Sequence, residues 1–488
     1  MKMSDVKRQH PVMIILEAVR TFVYGLPPLF IFLLTMNGDI GWSDIRPYLG
    51  ALVVFVIAFL SLSTLRWYLY TYRYEDGYLH IKRGLIFKKE RSIKRERVQT
   101  VNIRTGLVQR LLGVATVQIE TAGGGMESEI FLSAVKTEET QRIKSYLENK
   151  SRMHSEAVDE VTDAEPGTEN LEEPRVKATY VVPVWNMFLA GATSGRFMLL
   201  FSVIAALFSQ FYPYIPQNII DYLIMQIIPA SETDIFLIAS ILLLLLLISW
   251  LISIVVFMVQ YANFTILRQD EYLRVSWGLI EQKEFTLKIN RVQALSIQEG
   301  LMRQPIGLCS ITSEVAGGGL REQDYVTIIC PILRKKDLSV FLEQILPEYR
   351  IPGSMSPLPK RACKRYLFRA TALVLILIIP LQMFPYGWLA LLLLPPAFLL
   401  GLSRYRTGAT VLDNKQLTLR FRNINRYQIL IMQNHIQSLE ISSNPFQRRS
   451  ALSTVRAAVL SSPSGKTFKV VDVDNTEVGE VWDWFSRH

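Results

Sequence analysis

The chain has 488 residues, of which 50% are apolar and 20% are charged, and 53 basic residues against 43 acidic ones give it a net charge of +10. Charged residues are missing from several long stretches and dense elsewhere, which excludes a single soluble domain. The three cysteines, Cys309, Cys330 and Cys363, form no CxxC pair, which excludes a disulfide framework and a cysteine-based zinc module.

Six apolar segments are expected to cross a membrane, because a span needs about 20 mainly apolar residues. The clearest case is Ile235–Val259, which carries no charge. The connectors within the three pairs of segments contain a single basic residue, Arg46, whereas Lys and Arg crowd the opposite ends. This distribution predicts that the connectors lie outside and that both termini and the polar regions are cytoplasmic. The predicted spans are 12–36 with 48–69, 197–212 with 235–260, and 367–384 with 388–403.

An internal repeat follows the first two pairs of spans. Arg97–Gly125 reads RVQTVNIRTGLVQRLLGVATVQIETAGGG, and Arg291–Gly319 reads RVQALSIQEGLMRQPIGLCSITSEVAGGG. A weaker copy begins at His435, where both glycines and the triple glycine are missing. The unit of the chain is therefore a membrane hairpin followed by a domain of about 80 residues, and this unit occurs three times.

Each repeated domain is predicted to contain several strands and then one helix. Tyr70–Tyr74 and Tyr78–Ile81 alternate around Gly77, which is typical of a hairpin. Strands followed by one amphipathic helix favour a small barrel or sandwich closed by that helix. The closing helices are predicted at Thr137–Leu147, Lys335–Leu346 and Thr476–Phe485.

The arrangement resembles bacterial membrane proteins that carry the second type of bacterial pleckstrin-homology (PH) domain, the YdbS/YdbT-like family. The resemblance covers nearly the whole chain and implies a PH-like fold, a bent β-sandwich with a C-terminal helix. It implies neither an enzymatic activity nor a defined ligand. The predicted fold class is membrane α plus α+β, with three repeats of a transmembrane helical hairpin followed by a cytoplasmic PH-like β-sandwich or barrel. The predicted order is hairpin 1–70, domain 71–150, acidic disordered linker 151–178, hairpin 179–262, domain 263–350, linker 351–366, hairpin 367–403 and domain 404–488.

Basic residues concentrate in the first and third domains. The stretch Arg66–Arg110 has 12 basic and four acidic residues, and Arg404–Arg456 has nine against two, whereas Arg268–Arg321 has seven against six. Anionic headgroups of the inner leaflet attract such residues. One interpretation is that they only set the topology and solvate the surface. The other is that the first domain contacts anionic lipid through Lys82, Arg83, Lys88, Lys89, Arg91, Lys94, Arg95 and Arg97.

Glu17 and Arg20 stand three residues apart in the first apolar segment and therefore share one helical face. They form either an intramembrane ion pair or a pair at the cytoplasmic interface. The five histidines are scattered, and no metal-ligand spacing or hydrolase motif occurs, so we expect no catalytic residue, metal site or cofactor. The cysteines are interpreted as small buried hydrophobes.

The leading functional hypothesis is a non-enzymatic multi-pass scaffold in the cell membrane. Its expected partners are anionic membrane lipid and a membrane protein, a smaller PH-domain paralogue being one candidate, and nucleic acid is not expected. A role in envelope maintenance or stress tolerance is implied by the resemblance alone. The alternative is a transporter or lipid-handling membrane protein that uses the hairpins, which a solvated cavity lined by Glu17 and Arg20 would favour. An enzyme is the third possibility.

Overall fold

The computed structural model describes residues 6–19, 42–75, 78–84, 87–94, 98–121, 129–148, 176–211, 234–315, 326–384, 386–461 and 465–487. These residues form two compact units. The first contains the described residues up to 173 together with Glu281–Lys288, and the second contains the rest. The two triple-glycine segments of the repeat lie outside the described residues.

The apolar segments form long helices in which side chains face outward. Apolar side chains that stay exposed over a whole helix are typical of a helix surrounded by lipid. Phe55, Leu243 and Ile376 are examples, each more than half exposed. The helices are α1 (residues 12–19), α2 (Trp42–Leu69), α5 (Val184–Ala192), α6 (Arg196–Phe211), α7 (Asp234–Gln260), α9 (Lys360–Leu381) and α10 (Leu394–Thr407), and shorter helices belong to the domains.

The prediction of six spans in three hairpins is not confirmed. Within the described residues, Ala239–Gln260 and Gly387–Thr407 are long and apolar enough to cross a membrane. A third span results if α5 and α6, which meet at 57°, act as one. Helix α9 begins in a basic segment and is not among the helices that meet the length and composition expected of a span. Most of the first predicted span lies outside the described residues.

Three β domains accompany these helices, and the first consists of two antiparallel sheets. Strands β1 to β4 form one sheet, and β5, β6 and β7 are consecutive neighbours in the other. Helix α4 closes the domain. The bounds are β1 Lys7–Arg8, β2 Thr71–Glu75, β3 Tyr78–Arg83, β4 Lys89–Lys94, β5 Val98–Thr105, α3 Leu107–Leu111, β6 Val114–Thr121, β7 Glu129–Lys136 and α4 Thr137–Glu148.

The second and third domains repeat this plan, which supports the PH-like fold. In the second domain the elements are β8 Val176–Val181, β9 Thr265–Gln269, β10 Tyr272–Trp277, β11 Gln282–Lys288, β12 Val292–Glu299, β13 Leu308–Val315, β14 Val326–Arg334 and α8 Leu338–Ile345. In the third they are β15 Ser356–Pro357, β16 Ala409–Asp413, β17 Gln416–Arg422, β18 Arg426–Met432, β19 Ile436–Ser442, α11 Pro445–Arg448, β20 Leu452–Val459, β21 Lys466–Asp474 and α12 Asn475–Ser486.

A short strand before each group of membrane helices joins the domain that follows those helices. Strand β1 pairs with β2, β8 with β9, and β15 with β16. The sequence analysis did not anticipate these strands. Two of them are only two residues long, and β8 begins at the end of the predicted acidic linker. Each pairing places the residues that precede a group of membrane helices and the residues that follow it in one sheet.

The domains also exchange strands. Strand β11 pairs with β5 of the first domain, with Phe285 opposite Asn102. Strand β18 pairs in the same way with β12 of the second domain, with Ile429 opposite Ser296. The fourth strand of a domain therefore extends the second sheet of the preceding domain. Ala294 of β12 consequently lies in the core of the third domain, among Leu417, Ile431 and Val470.

Candidate functional site

One position of the repeat, occupied by Gln109, Arg303 and Gln447, forms hydrogen bonds that connect each domain to the chain beside its membrane helices. In the first domain Gln109 donates to the carbonyl of Ser133 (3.1 Å), and the Ser133 amide donates to Gln9 Oε1 (3.0 Å) just before α1. The Trp67 indole of α2 donates to the Gln9 carbonyl (2.8 Å). A chain of hydrogen bonds therefore runs from the domain to two membrane-proximal segments.

In the second domain Arg303 occupies the position of Gln109. Its guanidinium donates to Thr193 Oγ1 (3.2 Å) and to the carbonyl of Ala190 (3.4 Å), at the C-terminal end of α5. Burial lowers the pKa of Arg303 from its ordinary value. The carbonyls at a helix C-terminus attract a cation, so Arg303 contacts the end of α5 directly. Gln109 instead contacts the chain before α1 through the backbone of Ser133.

In the third domain Gln447 occupies this position and donates to Asp472 Oδ1 (2.8 Å). Asp472 is completely buried and accepts from Arg369 of α9 through Oδ2 (2.5 Å), and Arg365 lies 3.8 Å from it. A buried carboxylate is stable only when it is paired and hydrogen-bonded, as it is here. Asp472 therefore fixes α9 against the last strand of the domain.

A cavity of about 650 Å³ opens beside this network, between the third domain and helices α9 and α10. Five cationic side chains line it, and its lining contains no carboxylate. Leu373 also lines it, one helical turn beyond Arg369, and is 66% exposed on the membrane helix. The cavity therefore combines a cationic region with an apolar wall that continues along the membrane helix. The cations are Arg369, Arg404, Arg422, Lys466 and Lys469.

The five cations differ in how far the protein neutralises them. Arg369 is paired with Asp472, and Lys466 forms an ion pair with Glu314. Burial, followed by the charge of Arg426, lowers the pKa of Arg422 from its ordinary value. Lys469 is exposed and forms no ion pair with any carboxylate of the described residues. The cavity has an excess of positive charge and therefore favours an anionic ligand.

The structure brings four of the residues predicted for lipid contact together in the first domain. Arg83, Lys88, Lys89 and Arg91 line a smaller cavity of about 330 Å³. Tyr70 lines the same cavity, and burial raises its pKa to about 12. Of the other predicted residues, Lys82 pairs with Glu90 (2.7 Å), Lys94 lies 5.7 Å from the centre of the Tyr78 ring, and Arg95 and Arg97 lie outside the described residues.

The two cavities occupy the same place in the fold. Arg83 pairs across β3 and β4 with Lys89, and Phe421 pairs at the matching position of β17 and β18 with Tyr427. These side chains line their respective cavities. In the first domain the strands themselves supply the cations. In the third domain the membrane helices and β21 supply four of the five, and aromatic rings occupy the strand positions.

The sequence alone does not predict the cavity of the third domain, although it shows the charge excess over Arg404–Arg456. Arg369, Lys466 and Lys469 lie outside that stretch, and only folding brings them beside Arg404 and Arg422. Glu17 has a buried carboxylate oxygen without a hydrogen-bond partner among the described residues, and Arg20 lies outside those residues. The predicted pair of Glu17 and Arg20 therefore remains a prediction.

Two of the three cysteines, Cys309 and Cys330, are poor nucleophiles where they lie. Cys309 and Cys330 are completely buried, and burial raises the pKa of each thiol to about 12. A thiol that stays protonated at neutral pH reacts slowly. The interpretation of these two cysteines as small buried hydrophobes agrees with their surroundings.

Comparison with known proteins agrees with the threefold repeat. The Bacterial PH domain family matches residues 21–151, 219–349 and 370–488. The chain is also similar to the UPF0699 transmembrane protein YdbT of Bacillus subtilis (strain 168), with 34% identity over 499 residues that cover 99% of each chain. These matches confirm the resemblance inferred from the repeated motif.

Proposed function

The chain belongs to the Bacterial PH domain family and is a membrane protein, and from this premise we propose that it is a non-enzymatic, multi-pass scaffold of the cell membrane. Its PH-like domains bind anionic lipid headgroups at the inner leaflet, with the third-domain cavity as the principal site. Both termini face the cytoplasm, because Lys and Arg accumulate on that side of the apolar segments.

The observation that carries the proposal is the cationic cavity beside α9 and α10. Its volume of about 650 Å³ lies within the roughly 300–1,000 Å³ typical of small-ligand sites. A glycerophosphate headgroup would lie among Lys469, Arg404 and Arg422, and its acyl chains would follow Leu373 along α9. The same chemistry suits the smaller cavity of the first domain, where Arg83, Lys88, Lys89 and Arg91 converge.

Membrane protein partners and a role in envelope maintenance belong to the same proposal. Strand β18 pairs with β12, so the second and third domains share a sheet and offer its surface to a partner. Backbone pairing at sheet edges is a recurrent mode of recognition between proteins. The buried cysteines and the lack of an identified nucleophile among the described residues favour a scaffold over an enzyme.

Lys469 provides the test of lipid binding, because it is exposed and lines the cavity. The full chain in non-ionic detergent is titrated with short-chain phosphatidylglycerol and phosphatidylcholine, and bound lipid is counted by native mass spectrometry. One cation near an anionic headgroup is worth about 1 kcal/mol, so Lys469→Gln is expected to weaken phosphatidylglycerol binding about fivefold, and Lys469→Glu further.

Arg449→Gln is the matched control, because Arg449 is an exposed cation of the same domain that does not line the cavity. Its affinity for phosphatidylglycerol should equal that of the unmodified chain. Equal binding of the two lipids, or equal losses in the Lys469 and Arg449 variants, would refute the proposed site.

A further inference from the structure

The second sheet of the third domain ends in an open edge. In the described part of the chain, β19 pairs on one side only, with β20. Its counterparts in the first and second domains, β5 and β12, each pair on the other side with the fourth strand of the following domain. Strand β19 thus presents the edge that accepts a strand twice elsewhere in this chain.

Among the described residues, one matching donor remains for this edge. Each domain supplies one fourth strand, β4, β11 or β18, and one acceptor strand, β5, β12 or β19. Two donors and two acceptors pair within the described part of the chain, and β4 ends its own sheet after β3. We propose that β4 of a second copy of this chain pairs with β19, so that the copies associate head to tail through the pairing that already joins their domains.

The register of the two internal pairings predicts the register of this one. Asn102 lies opposite Phe285, and Ser296 lies opposite Ile429. The matching positions in β19 and β4 are Glu440 and Arg91. The only carboxylate of β19 therefore faces an arginine of β4, and opposite charges directly across antiparallel strands stabilise the pair.

Glu440 is available for this exchange. It forms an ion pair with Arg456 of β20, and the two side chains are 59% and 36% exposed. An ion pair this exposed contributes little to stability, so Glu440 loses little when it leaves Arg456. The charge of Glu440 on this edge strand discourages unspecific pairing, whereas the basic strand β4, which contains Lys89, Arg91 and Lys94, suits it.

Head-to-tail pairing is heterologous, so it closes into a ring, of which a dimer is the smallest, or continues as a filament. The pairing does not require lipid in the third-domain cavity, because no residue of β19 or β4 lines that cavity. It would place third and first domains of different copies side by side at the inner leaflet.

Disulfide cross-linking in native membranes tests the register. Two differently tagged full chains, both with Cys363→Ser, are co-expressed, one carrying Ser442→Cys and the other Lys89→Cys. The internal registers place these positions opposite each other, because Gln298 faces Tyr427 and Arg104 faces Lys283. A disulfide needs Cα atoms about 4.4–6.8 Å apart, so oxidation should link the two tags.

Lys94→Cys in place of Lys89→Cys is the register control. It lies five residues further along β4, about 17 Å from Ser442 in the proposed pairing, and should not cross-link. Glu440→Arg should abolish the link between Ser442→Cys and Lys89→Cys, and Arg91→Glu added to it should restore the link. Equal cross-linking at Lys89 and Lys94, or a chain that remains monomeric in membranes, would overturn the proposal.

Discussion

Gln109, Arg303 and Gln447 occupy the same position of the repeat. Each connects its domain to the chain beside the membrane helices by hydrogen bonds, although the side chain is an amide in two domains and a guanidinium in the other. Gln109 and Gln447 also donate to equivalent threonines, Thr116 at 2.8 Å and Thr454 at 3.0 Å. Arg303 reaches a helix C-terminus directly. Glutamine and arginine can both occupy this position because each donates hydrogen bonds to buried acceptors at the same junction, and buried acceptors need a hydrogen-bond donor.

Asp472→Asn tests the anchor of the third domain. The change keeps the shape and suits the backbone of Asp472, whose φ of +61° lies in the left-handed region that asparagine tolerates. It removes the charge that Arg369 and Arg365 share, and disrupting a buried pair costs about 3 kcal/mol. We expect a lower unfolding temperature in detergent, measured by the intrinsic fluorescence of the full chain.

Asp483→Asn is the control for this prediction, because Asp483 is 63% exposed and its ion pair is with the exposed Arg487 four residues on. Exposed pairs contribute at most about 1 kcal/mol, so its unfolding temperature should barely change. Similar shifts in the two variants would contradict the anchoring role of Asp472.

At the scale of elements, the membrane helices approach one another at small residues. A Cβ added to Gly401 of α10 would lie 3.0 Å from Ala370 Cβ and 3.0 Å from the carbonyl oxygen of Tyr366, both on α9. Gly191 of α5 has the same relation to Ile254 of α7, at 3.1 Å from its Cα. Small residues at such crossings allow the backbones to pack closely in lipid, where the hydrophobic effect does not drive association.

Gly401→Ala is therefore expected to destabilise the chain, because the added methyl group forces α9 and α10 apart. Overpacking of this kind costs about 1–3 kcal/mol. Gly479→Ala in α12 is the matched substitution, since no atom lies within 4 Å of its added Cβ, and it should stabilise the helix by about 0.5–1 kcal/mol. Thermal unfolding of the two variants should shift in opposite directions, and a shift in the same direction would contradict this packing.

At the scale of the whole molecule, strand exchange makes the domains depend on one another. Ile429 and Ile431 of β18 lie opposite Ser296 and Ala294 of β12, and Ala294 is completely buried in the core of the third domain. A domain cut out at the boundaries expected from the sequence loses this strand. Its first sheet then ends in a hydrophobic edge, which promotes association with other chains.

The excised third domain, residues 404–488, is accordingly expected to self-associate. A second fragment in which Val292–Glu299 is fused to its N-terminus through a flexible glycine-serine linker should remain monomeric, because the added strand covers β18. Light scattering after gel filtration measures the mass of each. A monomeric, folded 404–488 fragment without the added strand would show that β12 is dispensable.

The sequence predicted much of the fold because its signals are local. Ile235–Val259 has no charge along a whole span, and the repeat at Arg97 and Arg291 preserves offsets that only a repeated domain explains. The closing helices were found within a few residues, and Asp474 caps α12 by accepting from the Thr476 amide. The two-residue strands β1 and β15 were missed, since so short a stretch has no measurable periodicity.

The sequence by itself determined the apolar segments, the threefold PH-like repeat and the excess of basic charge, because hydropathy, periodicity and charge are properties of contiguous residues. The tertiary structure alone decided which strands pair across domains, which cations converge on a cavity and how Asp472 is neutralised. Residues far apart in the sequence, such as Arg369 and Lys469, come together only once the strands have paired. Which strands pair depends on the relative stability of the alternative strand pairings, and the sequence of a single strand does not determine which pairing is the most stable.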